Sequence, residues 1–136
     1  MLKEIQDAII DRLREIPEAM TVDAWQGAED LLIEQAQRFP SLWVIYQGAF
    51  FTEKKVIGSD RADHAMTFLV ILVHKNLASR RKASEEAYAL VESARAKLVG
   101  HKILTYGWLW PVREELLLAE NGLYVYGLEY RMQTNT

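Results

Sequence analysis

Six consecutive apolar residues, Phe68-Leu69-Val70-Ile71-Leu72-Val73, constrain this chain more than any other feature. The run is bounded by Thr67 and His74. It is far too short to cross a bilayer, and its β-branched and aromatic content favours a strand. Side chains alternate between the two faces of a strand, so an unbroken apolar run must be covered on both. The spacing predicts a central strand over Met66 to His74.

The flanking segments say what covers it. Leu2, Ile5, Ile9, Leu13 and Ile16 recur three or four residues apart with charged residues between them, which predicts an amphipathic helix ended before Pro17. A second helix is expected over Ser79 to Val99. Ala87, Leu90, Val91, Ala94 and Leu98 carry its apolar spacing, Ser84 with Glu85 and Glu86 marks its start, and Gly100 is its stop. Its small alanines allow close approach to a sheet. Thr21 to Trp25 gives a weak strand signal, Asp30 to Phe39 a short helix, and Leu42-Trp43-Val44-Ile45-Tyr46 a buried strand. Gly48 to Asp63 reads as a connecting region. From Ile103 to Met132 the chain is β-rich, and Glu120-Asn121-Gly122 between two apolar stretches predicts a hairpin, because Asn-Gly adopts positive φ readily. This order predicts an α+β fold, a mainly antiparallel sheet with two long helices packed on it.

No Ser/Gly-rich or Pro-rich stretch interrupts the 136 residues, so one domain spanning 1–136 is expected. A 50% hydrophobic content excludes intrinsic disorder. With 16 Lys plus Arg against 19 Asp plus Glu the net charge is −3, a poor balance for a protein whose main task is gripping phosphate backbones. The absence of cysteine removes disulfides, thiol nucleophiles and Cys-rich metal sites. Met1 to Asp7 lacks the basic and apolar segments of a secretory signal, so a cytoplasmic product with no membrane association is expected.

Chemistry has little to stand on. Asp60, Asp63 and His64 bring two carboxylates and an imidazole together in sequence, enough to begin a metal site or orient a base, but further ligands would have to come from elsewhere. The plainer reading is a polar loop entering a strand. Glu85-Glu86 and Glu114-Glu115 are adjacent pairs, whereas a glycosidase needs carboxylates facing each other across a cleft. No serine lies in a G-x-S-x-G elbow, and the glycines form neither G-x-G-x-x-G nor a phosphate loop. The expectation is no enzyme, no catalytic residue, no cofactor and no metal.

Two basic clusters and two aromatic stretches remain. Lys54-Lys55 precedes the central strand, and Arg80-Arg81-Lys82 opens the second helix, where cations oppose the macrodipole and gain nothing locally. Both read as solvated loops or as electrostatic contacts with an acidic neighbouring subunit or nucleic acid. In an extended Tyr106-Gly107-Trp108-Leu109-Trp110-Pro111 the two tryptophans share a side, and Tyr124, Tyr126, Leu128 and Tyr130 share another. Such rows either pack across strands or form a self-association surface.

The order of these elements carries a resemblance. An amphipathic helix over Leu2 to Ile16, Phe39-Pro40-Ser41-Leu42-Trp43-Val44-Ile45-Tyr46, a charged loop, the Phe68–Val73 strand, a helix and a closing strand over Tyr124 to Met132 resemble the small tail proteins of Mu-like phages and prophages. The layout is also similar to tail terminator proteins of long-tailed phages. The resemblance covers nearly the whole chain without a short diagnostic motif. It implies a virion structural protein, a tail-terminator-like or tail-completion subunit forming a ring, of six subunits by analogy, that caps the tail tube and contacts the head connector. It implies assembly in the cytoplasm and residence in the virion tail, with nucleic acid met only through a central channel. Within that reading Lys54, Lys55, Arg61, Arg80, Arg81 and Lys82 are the expected subunit or partner contacts. The alternatives are a minor head–tail adaptor or other protein-binding module, and a small cytosolic enzyme built around Asp63 and His64.

Overall fold

The computed structural model describes residues 1–25, 38–51 and 63–135, without the side chains at 63, 134 and 135. It is α+β, with two helices and one six-stranded mixed sheet among the described residues. Helix α1 (Leu2–Leu13) is followed by strands β1 (Thr21–Ala24), β2 (Ser41–Phe51) and β3 (Asp63–Lys75), helix α2 (Arg80–Leu98), and strands β4 (Lys102–Ile103), β5 (Gly107–Glu120) and β6 (Leu123–Asn135). The strand order across the sheet is β1-β2-β3-β6-β5-β4. β1 runs parallel to β2, and every other neighbouring pair is antiparallel.

Strand β3 lies between β2 and β6, as its continuous apolarity requires. Met66, Phe68, Val70 and Leu72 point to one face and join a single cluster with Ile5, Ile9 and Leu13 of α1 and Leu90, Ala94 and Leu98 of α2. Ile71 and Val73 point to the other face and pack with Trp43 and Val125. There Trp25 meets Trp43 edge-on, with ring centroids 5.8 Å apart. On the helix side Phe68 is paired across the strands with Tyr46 and Tyr130, and the Tyr46 ring lies 5.4 Å from it.

The local boundaries follow from a few residues. Helix α1 stops at Leu13, one turn earlier than its apolar spacing suggests; Pro17 disfavours helical backbone at Ile16, and the last turn tightens, with Ile16 N–H donating to Leu13 O. Ile16 nevertheless stays buried in the core. Helix α2 is capped by Ser79, whose Oγ accepts the Lys82 N–H at 3.2 Å. Ser84, the expected cap, lies one turn inside and donates to the Arg80 carbonyl instead. Buried Ala83, Ala87 and Ala94 keep the helix close to its neighbours.

Two strands are longer than expected. β2 passes through Gly48, where its register with β3 shifts, and continues to Phe51, so Gly48 marks a bulge rather than the end of the strand. β3 begins at Asp63, which places His64 in the strand with its ring stacked on Phe51. The hairpin turn is as expected, with Asn121 at φ 50° and Gly122 at φ 76°. A side chain at Gly122 would also meet the Asn76 carbonyl at 2.7 Å, so the turn is doubly restricted to glycine. The expected helix over 30–39 falls almost wholly outside the described residues.

Candidate assembly surface

Strand β5 is open along most of its outer edge. Beyond Leu109, which forms a lone parallel bridge with Val99, no described residue pairs with its outer edge. It is also exposed on its faces: Trp108 retains 57% and Trp110 69% of its surface, and Val112, Leu116 and Leu117 are exposed too. Leu109, between the tryptophans, is fully buried in the core, so the alternation expected from sequence is present.

The register explains which side the tryptophans occupy. Leu109 pairs with Met132 on the helix side, and Trp110 pairs with Arg131 on the opposite side. Two bulges, at 111–113 and 116–118, then turn successive residues. Leu117 lies over Gly127, where even an added Cβ would sit 3.1 Å from its Cδ1. Glu114 faces α2 and takes both Arg95 Nε, at 2.9 Å, and Nη2. Arg113 pairs with Glu115 at 2.9 Å. A proline, two bulges and a run of charges are the devices by which an open edge avoids adding a foreign strand. Contact through β5 therefore falls to its side chains.

Tyr130 is buried beside the Arg95–Glu114 pair, and its hydroxyl has no hydrogen-bond partner among the described residues. Burial chiefly, and then the Glu114 charge, pushes its ionisation above the ordinary 10.0, while Arg95 acts the other way. The unfolded phenol ionises near 10 and the folded one only at higher pH. The native chain thus holds a proton that the unfolded chain releases, and this contribution, complete below pH 10, is lost as pH rises. Tyr130→Phe is expected to gain about 1 kcal/mol at pH 7 by removing an unpaired buried hydroxyl. It should also flatten the alkaline loss of stability by up to about 1.4 kcal/mol per pH unit. Urea denaturation at pH 7 and pH 11 checks both; equal losses in the two chains would contradict them.

The charged residues singled out by sequence divide in two. Lys54, Lys55 and Arg61 lie outside the described residues. Arg80, Arg81 and Lys82 are exposed in the first turn of α2, where Arg81 Nε lies 3.3 Å from Glu85. Acidic residues recur three or four apart from α1 into the turn after it, at Glu4, Asp7 and Asp11 and then at Glu15 and Glu18, beside Lys3 and Arg12. Lys3 pairs with Asp7, Lys97 with Glu15, and Tyr106 donates to Glu4.

Among the described residues there is no cluster of three or more metal-ligating side chains. The buried His74 Nε2 is hydrogen-bonded to Glu86 at the wall of a cleft of about 310 Å³ that Pro40, Leu90 and Ser93 also line. A nucleophilic triad needs the second imidazole nitrogen on a hydroxyl. Here Nδ1 is buried with no hydrogen-bond partner among the described residues, and the pair ties β3 to α2. Sequence reasoning missed this tie and the Arg95–Glu114 pair, because their members stand 12 and 19 residues apart.

Among the described residues, the open edge of β5 with its exposed rings is a surface suited to contact with other proteins. Comparison with known proteins agrees. The sequence matches the family model described as "Phage tail terminator protein" over residues 6–136. The chain belongs to this family of virion tail structural proteins. Its fold is similar to that of a chain in the solved structure described as "Virion of native gene transfer agent (GTA) particle", with 14% identity, a TM-score of 0.56, and coverage of 96% of this chain and 94% of that one. No curated protein matches the sequence. No described helix is long and apolar enough to cross a membrane.

Proposed function

We propose that the chain is a single-domain subunit of a ring, six copies by analogy, that ends the growing tail tube and offers its other side to the head connector. The exposed apolar strand β5 carries this reading. Monomeric proteins rarely leave such a patch in water, and tryptophan is the residue most enriched at the energetic centres of protein interfaces. Ring closure requires heterologous contacts, in which one patch meets a different patch on the next copy. Assembly takes place in the cytoplasm before the tail joins the head, no bond-making step is involved, and DNA meets the ring only at its central channel.

The basic residues have a place in this scheme. Arg80, Arg81 and Lys82, with Lys54, Lys55 and Arg61, are contacts to an acidic surface, for which the acidic row running from Glu4 through Asp11 to Glu18 in a neighbouring copy is the nearest candidate on this chain. Reversing Arg80, Arg81 and Lys82 to Glu is expected to slow assembly roughly tenfold at low ionic strength, with the difference fading by about 0.5 M salt as exposed charges are screened. Light scattering of assembly against salt checks this; a defect independent of salt would contradict it.

The function itself is tested by mixing the purified chain with the tail tube protein of the same phage or prophage and viewing the product by negative stain. Rings seated on tube ends are the expected result. Bare tubes among monomers would overturn the reading, and capture of the chain by portal-side proteins instead would make it an adaptor.

A further inference from the structure

Heterologous assembly needs two unlike patches on opposite sides of one subunit, and the strand order supplies a second. β2 lies toward the edge of the sheet opposite β5, and beyond Val44, whose carbonyl accepts the Trp25 N–H, no described residue pairs with its outer side. At that end Phe50 and Phe51 retain 71% and 66% of their surface. The register places Phe50 on the same face as the tryptophans, while Phe51, paired with His64 and stacked on its ring, turns to the helix face. Phe50 is opposite Ala65, Trp110 is joined through Arg131 to Thr67, and residues two apart on β3 share a face. Gly48, Thr67, Arg131 and Trp110 form one row across the sheet, so both patches also lie at the same end of it.

We infer that the aromatic patch of β5 (Trp108 and Trp110) on one copy packs against the patch centred on Phe50 at the end of β2 on the next, side chain to side chain; the inference rests on the ring reading above. The occupant is a second copy because the two patches are alike in chemistry, opposite in position and level along the sheet, the arrangement that lets identical units follow one another. Trp108, Trp110 and Phe50, each about two-thirds exposed, offer on the order of 400 Å² of aromatic surface. That is a fitting apolar centre for an interface of roughly 1,600 Å² in total, with polar neighbours such as Arg131 as its rim.

The chain has no cysteine, so introduced thiols are unique. Arg131→Cys sits beside Trp110, and Gln47→Cys is three residues before Phe50; both positions are exposed, and neither removes a ring of the contact. A short bismaleimide is expected to leave each single variant monomeric on a denaturing gel. It should convert an equimolar mixture of the two to a dimer and nothing larger, and drive the double variant into a ladder. Adding Trp108→Glu and Trp110→Glu to the Arg131→Cys chain should abolish the mixed dimer. Dimers from the Arg131→Cys chain alone would mean a symmetric contact and overturn the inference. Rings of the unaltered chain on tube ends with no mixed dimer would overturn this surface assignment alone, whereas a mixed dimer without any capping of tubes would overturn the tail reading alone.

Discussion

A chain carrying Trp108→Glu and Trp110→Glu is expected to remain folded and to lose assembly. Both rings are mostly in water in the isolated subunit, so their replacement should change folding stability by no more than about 0.5 kcal/mol per site. At the centre of an interface, an aromatic anchor is worth about 2 kcal/mol or more. Two of them acting independently make association roughly a thousandfold weaker. Sedimentation over a concentration series, with a thermal melt of the same sample, checks both halves. A drop in melting temperature with assembly intact would reverse the assignment, making the tryptophans part of the core and not of a contact.

The converse is expected at Phe68. This ring is fully buried between Tyr46 and Tyr130 in the middle of the sheet, beneath the cluster shared by both helices. Phe68→Ala should cost about 3–5 kcal/mol, from lost transfer energy plus the cavity left in a core that can only partly close. Against a typical total of about 5–15 kcal/mol, that is a large share of the stability. The melting temperature should fall by about 10–20 °C. Any loss of assembly should follow the unfolded fraction, and a low-temperature sample in which the variant is folded should assemble normally. A shift below about 3 °C would show that the sheet does not rest on this layer.

These two residue sets also show what could be read from the sequence. Phe68–Val73 announced a central strand because period-two geometry leaves no other home for six apolar side chains in a row. Asn121-Gly122 announced its hairpin because few pairs tolerate two positive φ values, and both are observed. The tryptophan pair was placed on one side of a strand by the same alternation. The strand edges were another matter. Gly48 reads as a break, yet a bulge lets β2 run past it, so Phe50 became visible as an edge patch only in three dimensions. The short parallel pairing of β1 with β2 likewise has no local signature.

The candidate surface was legible in composition but not in status. Cross-strand packing and self-association predict the same rows of aromatics, and only the strand order decides between them. Tyr130 went inward, while Trp108 and Trp110 stayed outside on a strand whose outer edge has no described partner beyond Leu109. Charge was a weaker guide, since cations in a first helical turn look alike whether they serve a partner or merely face water. Arg80, Arg81 and Lys82 are exposed, as an interface requires and as a solvated helix end would also be. Ion pairs such as Arg95–Glu114 depend on elements meeting after folding, which pairwise spacing along the chain does not encode.

The most direct measurement is the length of tail tubes polymerised in vitro from their own subunit, with and without this chain added during growth. A subunit that closes tube ends should halt elongation at substoichiometric amounts, leaving capped tubes that fresh tube protein cannot extend, and the Trp108→Glu, Trp110→Glu chain should leave growth unchecked. Tubes that keep lengthening at the same rate in the presence of excess unaltered chain would contradict the account.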